Sequence, residues 1–172
     1  WRIAIADDGS ALFVGDARVP RVLHIPFDAS LPNLLVAEEI PTATVVADLA
    51  LAAEPGDELF GVGPWSHLFV AGVDRARVDI YDLDNGSWID VNPLDGVHGG
   101  LDLRSPVVGL STAPDPILLQ SQNDAEIRDE ARVVVVTTFD GSVRMLNALT
   151  GCQAVTTDGP AAFYSQSAGT AE

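Results

Sequence analysis

Lysine is missing from this chain, and cysteine all but missing. The nine basic residues are all arginine, against 25 acidic ones, for a formal net charge of −16 over 172 residues. A surface of that sign repels phosphate backbones, which excludes nucleic acid as an expected partner and weakly favours cations and basic partners. The one cysteine, Cys152, excludes an intrachain disulfide and a cysteine-rich zinc site. It falls just past a turn, where a buried, inert thiol is expected. No apolar run reaches the ~18 residues of a membrane-spanning helix. Helical periodicity is almost absent. The one stretch that carries it is "QNDAEIRDEA", Gln122 to Ala131, where Asn123 or Asp124 supplies an N-cap and a short helix is expected. Phosphate-binding glycine motifs and the G-x-S-x-G nucleophile elbow are also missing.

What is present is strand and turn. In "TTFDGSVRMLNALTG", Thr137 to Gly151, Asp140-Gly141 separates two apolar runs, a strong local signal for a hairpin. The pattern recurs. "HLFVAGVDRARVDIYDLDNGSW" (67–88) lies without a gap on "RVVVVTTFDGSVRMLNALTGCQ" (132–153), which aligns Leu68 with Val133 and Tyr81 with Leu146. A looser copy, "ALFVGDARVPRVLHIPF" (11–27), aligns Leu12 with Leu68 and needs a one-residue slip at its second strand, Val22 to Ile25. Each copy is preceded by a short apolar run, "RIAIADDG", "ELFGVG" or "PVVGL". Each is followed by another, "TATVVADLA", "SWIDVNPL" or "CQAVTT". The expectation is an all-β chain of three units, each of four antiparallel strands, over about 1–52, 56–94 and 104–157. Residues 158–172 form a flexible tail.

"IADDGSALFVGD" resembles the strand-turn-strand opening of a blade in YVTN and lactonase-like β-propellers, and "FDGSVRMLNALTG" resembles the third strand and outer turn of quinoprotein-like and WD-repeat blades. The resemblance implies a β-propeller repeat protein. Three blades fall short of the ~4–8 that close a propeller, so a partial propeller is implied. It would be completed by the remainder of a longer chain or by a second chain. Trp1 in place of an initiating Met agrees with a piece of a longer polypeptide, or with removal of a leader in an extracytoplasmic (periplasmic or secreted) protein. A self-contained β-sandwich is the architectural alternative.

Propeller ligands gather on the face that holds the loops joining second to third strands and one blade to the next. Here the resemblance places 16–20, 74–76, 139–141, 53–57 and 92–105 on that face. The last is the most polar, "NPLDGVHGGLDLRS". Asp95, His98 and Asp102 are its candidate metal ligands, since imidazole and carboxylates suit a divalent cation such as calcium. His98-Gly99-Gly100 would let the backbone approach a ligand closely. "DLDNGSWID" (82–90) has the D-x-D-x-G start of a calcium loop, but an Asn85-Gly86 hairpin accounts for it. His24 and His67 are read as packing residues in strands. The connection Ser111 to Glu130 is long, and Pro114 and Pro116 oppose strand pairing within it. Its apolar triplet Ile117, Leu118 and Leu119 is the candidate partner contact. With no catalytic constellation assembled, the expected function is a non-enzymatic binding or scaffold module. The alternative is a lactonase-like, metal-dependent propeller hydrolase.

Overall fold

A computed structural model describes residues 1–6, 8–27, 37–54, 63–91, 99–113, 117–120, 128–149 and 153–157, with backbone only for 117–120, 128–131 and 153–157. All regular structure among them is β. The first sheet runs β1 (Arg2–Ile5), β2 (Ala11–Gly15), β3 (Arg21–Pro26) and β4 (Glu38–Pro41), each strand antiparallel to the last. The second runs β5 (Val46–Glu54), β6 (Trp65–Gly72), β7 (Arg77–Asp82) and β8 (Ser87–Trp88), with β9 (Leu101–Asp102) also on β7. The third sheet is β10 (Val107–Thr112), β13 (Val133–Thr138), β14 (Val143–Asn147) and β15 (Gln153–Thr157). Between β10 and β13 the chain makes a separate two-stranded ribbon, β11 (Ile117–Gln120) with β12 (Arg128–Ala131).

The sheets stack face to face. One core layer joins the first two: Phe13, Val22 and Ile40 meet Leu49, Leu68 and Val70. The other joins the second and third: Ala50, Phe69, Val78 and Ile80 meet Leu110, Val134, Val136 and Leu146. The leading strands β1, β5 and β10 lie side by side, and polar groups tie them together. Arg2 Nε donates to the Ala47 carbonyl at 2.6 Å, the Leu110 amide donates to Asp48 Oδ2 at 2.8 Å, and the Thr112 hydroxyl donates to the Leu51 carbonyl at 2.6 Å. Asp48 stands beside a register shift between Val46 and Asp48. Such an irregularity turns a side chain out of the ladder's alternation, and here Asp48 meets the neighbouring leading strand.

Two strand assignments differ from the sequence expectation. "TATVVADLA" is not the last strand of the first unit. Val46–Glu54 leads the second sheet, and Glu38–Pro41 closes the first. The reason is burial: Leu49 and Ala50 point to opposite faces of β5 and both are buried, as a strand between two sheets requires. The expected helix over Gln122–Ala131 is absent from its last four residues. Arg128–Ala131 is strand, where pairing with Ile117–Gln120 supplies the backbone hydrogen bonds. The remaining positions, Gln122 to Ile127, lie outside the described residues.

The repeat register also differs. Cross-strand rows Ile5–Leu12–Ile25 and Leu51–Leu68–Tyr81 correspond with a constant displacement of 56 at Leu12 and Ile25, so the first copy needs no slip. In the third sheet the corresponding row is Thr112–Val134–Leu146. Leu68 therefore matches Val134, not Val133. The hairpin closed by Thr137 and Val143 encloses one residue fewer than the one closed by Ala71 and Val78. Four successive valines, 133 to 136, carry no parity signal. A one-residue error there exchanges the two faces of the strand.

The Asp140-Gly141 turn forms as expected. Gly141 has φ +83°, which an L side chain disfavours, and its amide donates to the Thr138 carbonyl at 3.0 Å.

Candidate functional site

A cleft of about 560 Å³ opens between the first and second sheets. It lies at the end where β1 turns into β2 and where β5 stops and β6 starts. Its apolar lining comes from Ala6, Ala11, Phe13, Leu51, Ala53 and Leu83. Its polar lining comes from Asp8, Ser10, His24, Glu54, Ser66 and Arg132. Alternation explains the mixture: Phe13 and His24 are cross-strand partners on one face, and their rings stack at 4.8 Å and 5°. Where the second sheet has the Phe69–Ile80 pair in the same position, the first has a polar tip, so the layer cannot close.

The charged groups of the cleft are held in place. Arg132 Nε donates to Glu54 Oε1 at 3.0 Å, and Arg132 Nη1 reaches the Ala113 carbonyl at 3.5 Å. His24 Nδ1 lies 3.4 Å from Glu38 Oε2. Asp8 accepts from the Ser10 amide at 2.9 Å, and its carboxyl is held below the ordinary aspartate range, chiefly by hydrogen bonds from Ser10. Arg132 is thus neutralised by Glu54, while Asp8 adds a further negative charge to the lining.

Of the candidate metal ligands, Asp95 and His98 lie outside the described residues. Asp102, on β9, is exposed, and its carboxylate stands 3.9 Å from Arg77 Nη1. Among the described residues no group of three or more His, Cys, Asp or Glu side chains is arranged to hold a metal ion. The close approach expected at Gly99-Gly100 is made to the chain's own backbone: a Cβ on Gly100 would fall 1.9 Å from the Val78 carbonyl oxygen. In the calcium-like stretch, Asp82 caps its own turn. It accepts from the amides of Asp84 and Asn85 at 2.9 and 3.0 Å, and from Asn85 Nδ2 at 2.6 Å. Burial pushes its carboxyl up, but these hydrogen bonds outweigh that and leave it below the usual value.

His67 is buried, with Nδ1 2.8 Å from the Ala148 carbonyl and its ring against Trp65, and so packs the second sheet onto the third. The backbone of Ile117, Leu118 and Leu119 is paired strand, not loop. Their side chains, like Cys152, fall outside the description. Asp16 and Asp140, in equivalent hairpins, are both turn builders. Asp16 accepts from the amides of Arg18 and Val19, and Asp140 from the Thr138 hydroxyl and the Ser142 amide. Both carboxyls sit below the ordinary range, Asp16 chiefly through the Arg18 amide and Asp140 chiefly through the Thr138 hydroxyl.

Sequence reasoning missed the cleft, because residues 53–57 were expected at the opposite end of the sheets. Correct placement of β5 would have brought Glu54 beside Ser66 and Ser10. His24 carried the one available signal: a polar ring where the second repeat has isoleucine.

No family model matches the chain, and no curated protein matches its sequence. Among solved structures, a crystal structure of BBS1N in complex with ARL6DN is 15% identical, with TM-score 0.36, covering 92% of this chain and 53% of that one. The computationally designed Ika8 protein is 12% identical, with TM-score 0.40, covering 92% of this chain and 48% of that one. The chain spans about half the length of these structures. No helix among the described residues is long and apolar enough to cross a membrane. The architecture of the described residues is all-β, in antiparallel sheets.

Proposed function

We propose that this chain is a non-enzymatic binding module built from three blades of a β-propeller, and that the cleft between the first two blades is its recognition site. The blade reading is supported by three successive antiparallel sheets, the first and third of four strands and the second of four with β9 as a fifth, whose leading strands β1, β5 and β10 are neighbours. The observation that carries the binding reading is the state of the cleft's polar groups. Arg132, Glu54, Asp8 and His24 are already engaged with neighbours of this chain. Groups so engaged frame an apolar floor and orient a ligand, as recognition sites do.

The ligand class is a polypeptide segment that presents an aliphatic side chain to Leu51, Ala53 and Leu83 and a basic one to Asp8. The test uses a fluorescein-labelled hexapeptide of alternating leucine and arginine, with the leucine–glutamate counterpart as control. Polarisation should rise with the basic peptide alone, fall with added salt, and be lost in Ser66→Trp, which fills the cleft. Equal binding of the acidic peptide, or full binding by Ser66→Trp, would contradict the reading.

A further inference from the structure

The end of the stack opposite the cleft carries the β2–β3, β6–β7 and β13–β14 hairpins and the starts of β5 and β10. Turn tips ordinarily carry small or polar residues. Here two of them expose an apolar side chain, Val73 at 45% and Phe139 at 83%. The two take the same place, two residues past the last positions paired across their hairpins, Ala71 and Thr137. Their amides are fixed alike: Val73 donates to the Val45 carbonyl and Phe139 to the Pro106 carbonyl, both at 2.8 Å. A register shift at the start of β10, between Val107 and Gly109, adds a third apolar group. Val107 turns in, and Val108 stands out at 56% exposure. The Phe139 side chain has no part in closing its turn, which is done by Thr138, Asp140, Gly141 and Ser142.

Arg75 and Arg104, both exposed, flank these groups. The segment Ser105 to Val107 ties the cluster together. The Val107 amide donates to the Arg75 carbonyl at 3.1 Å, and the Ser105 hydroxyl accepts from the Asp140 amide at 3.1 Å. Other arginines at this end are held by carboxylates, Arg2 by Asp48, Arg21 by Asp16 and Arg77 by Asp79. The Asp140 carboxylate is taken up by its own turn, and Asp74 is exposed beside Arg75. The net charge of −16 opposes an anionic surface for the chain as a whole. Charge acts locally, however. Asp8, Glu54, Asp82 and Asp84 stand at the cleft end. The eight residues of β6 separate the two ends by roughly 25 Å, about three Debye lengths at physiological salt.

We infer that the hairpin end docks on an anionic lipid bilayer. Phe139, Val108 and Val73 enter the headgroup region, and Arg75 and Arg104 meet lipid phosphates and carboxylates. Charge complementarity selects an anionic surface. Shape favours lipid over a folded partner: the apolar groups protrude from two turn tips and a bulge, and a bilayer accepts protruding groups without a matching pocket. Arginine suits the boundary, since its stem lies along apolar surface while the guanidinium stays at the level of the headgroups. The contact leaves the cleft free and does not depend on the cleft's role.

The test is co-flotation of the full chain with vesicles of phosphatidylcholine containing about one third phosphatidylserine, against phosphatidylcholine alone. The parent should float with the anionic vesicles and stay behind with the neutral ones. Arg75→Gln with Arg104→Gln should weaken binding roughly 20-fold, about fivefold per arginine. Phe139→Ser should weaken it about tenfold, and Phe139→Trp should keep it, because tryptophan suits the membrane interface. All three positions are exposed, so circular dichroism should be unchanged. Basic-peptide binding in the cleft should be unaffected by Phe139→Ser, which lets the two readings fail separately. A parent that floats with neither vesicle overturns the inference and leaves the cluster to a protein partner. Equal flotation with both vesicles, or flotation indifferent to Phe139→Ser, also overturns it. So does a parent that self-associates in light scattering and returns to one chain on Phe139→Ser, which would assign the cluster to a second copy.

Discussion

The two seams of this molecule are built from equivalent positions and end differently. Between the second and third sheets the layer is small and continuous: Ala50, Ala52, Ala71 and Ala148 let the backbones approach, while Phe69, Val134, Val136 and Leu146 fill the space at 0% exposure. Hydrogen bonds lock its margins. The Val107 amide donates to the Arg75 carbonyl, the Leu103 amide to the Ala76 carbonyl, and the Asp140 amide to the Ser105 hydroxyl. Between the first and second sheets the same rows meet, but His24 stands where the other seam has Ile80, and the end of the seam opens into the cleft. One polar ring in a repeated position marks the difference between the sealed seam and the one that opens into the cleft.

The largest effect expected is on the sealed seam. Phe69→Ala should cost about 3–5 kcal/mol, the range for emptying a buried phenylalanine site that cannot relax. Phe13→Ala, at the same position beside the cleft, should cost at least ~1 kcal/mol less, because an open neighbour lets the site collapse or hydrate. Urea denaturation of both variants measures the difference; equal costs would erase the distinction between the seams.

Asp48 comes next. Its carboxylate accepts from the Leu110 amide and lies 3.7 Å from Arg2, so it bridges all three leading strands. Asp48→Ala should cost about 1–3 kcal/mol by leaving that amide unpaired, while Asp48→Asn, which keeps an acceptor, recovers most of it. An alanine variant as stable as the parent would mean that the leading strands are not held there.

A smaller effect belongs to the open seam. Glu54→Gln weakens a half-buried ion pair with Arg132 and should change stability by less than about 1 kcal/mol. It nevertheless removes charge from the cleft, so basic-peptide binding should fall. Unchanged binding together with lost stability would assign Glu54 to structure alone.

The smallest effect at neutral pH is that of Asp140→Asn. The Asp140 carboxyl is depressed below its ordinary 3.8 in the fold. It therefore contributes stability above the unfolded value, and that contribution is lost as pH falls through the folded value. Acid titration of the parent should show stability declining from about pH 4 downward. Asp140→Asn should show a shallower decline over the same window. Parallel curves would contradict the turn's role as a carboxylate-dependent closure.

Strand content and the Asp140-Gly141 hairpin were legible because they rest on local chemistry: alternation, β-branched residues and a glycine free to take positive φ. The ribbon position between β10 and β13 was legible from the repeat, which left 111–130 over as an insertion. The edge of the first unit was not legible. "EEIP" is too short and too charged to read as a strand, and it becomes one by pairing with β3 at a sheet edge. Nor was the register of Val133 to Val136, where every residue is equally suited to either face. The cleft follows from that class of long-range information. Glu54, Ser66 and Arg132 are far apart in sequence and meet only because β5, β6 and β13 lead into the same end of the stack.

The most direct test of the account is the orientation of that valine run, since the stacking of equivalent rows depends on it. Methyl nuclear Overhauser spectra should connect Val134 and Val136 to the Phe69 ring and the Ala52 methyl, which share their core layer, and should leave Val135 without such contacts. Cross-peaks from Val133 and Val135 to Phe69, with none from Val134 and Val136, would reverse the third sheet's faces and contradict the account.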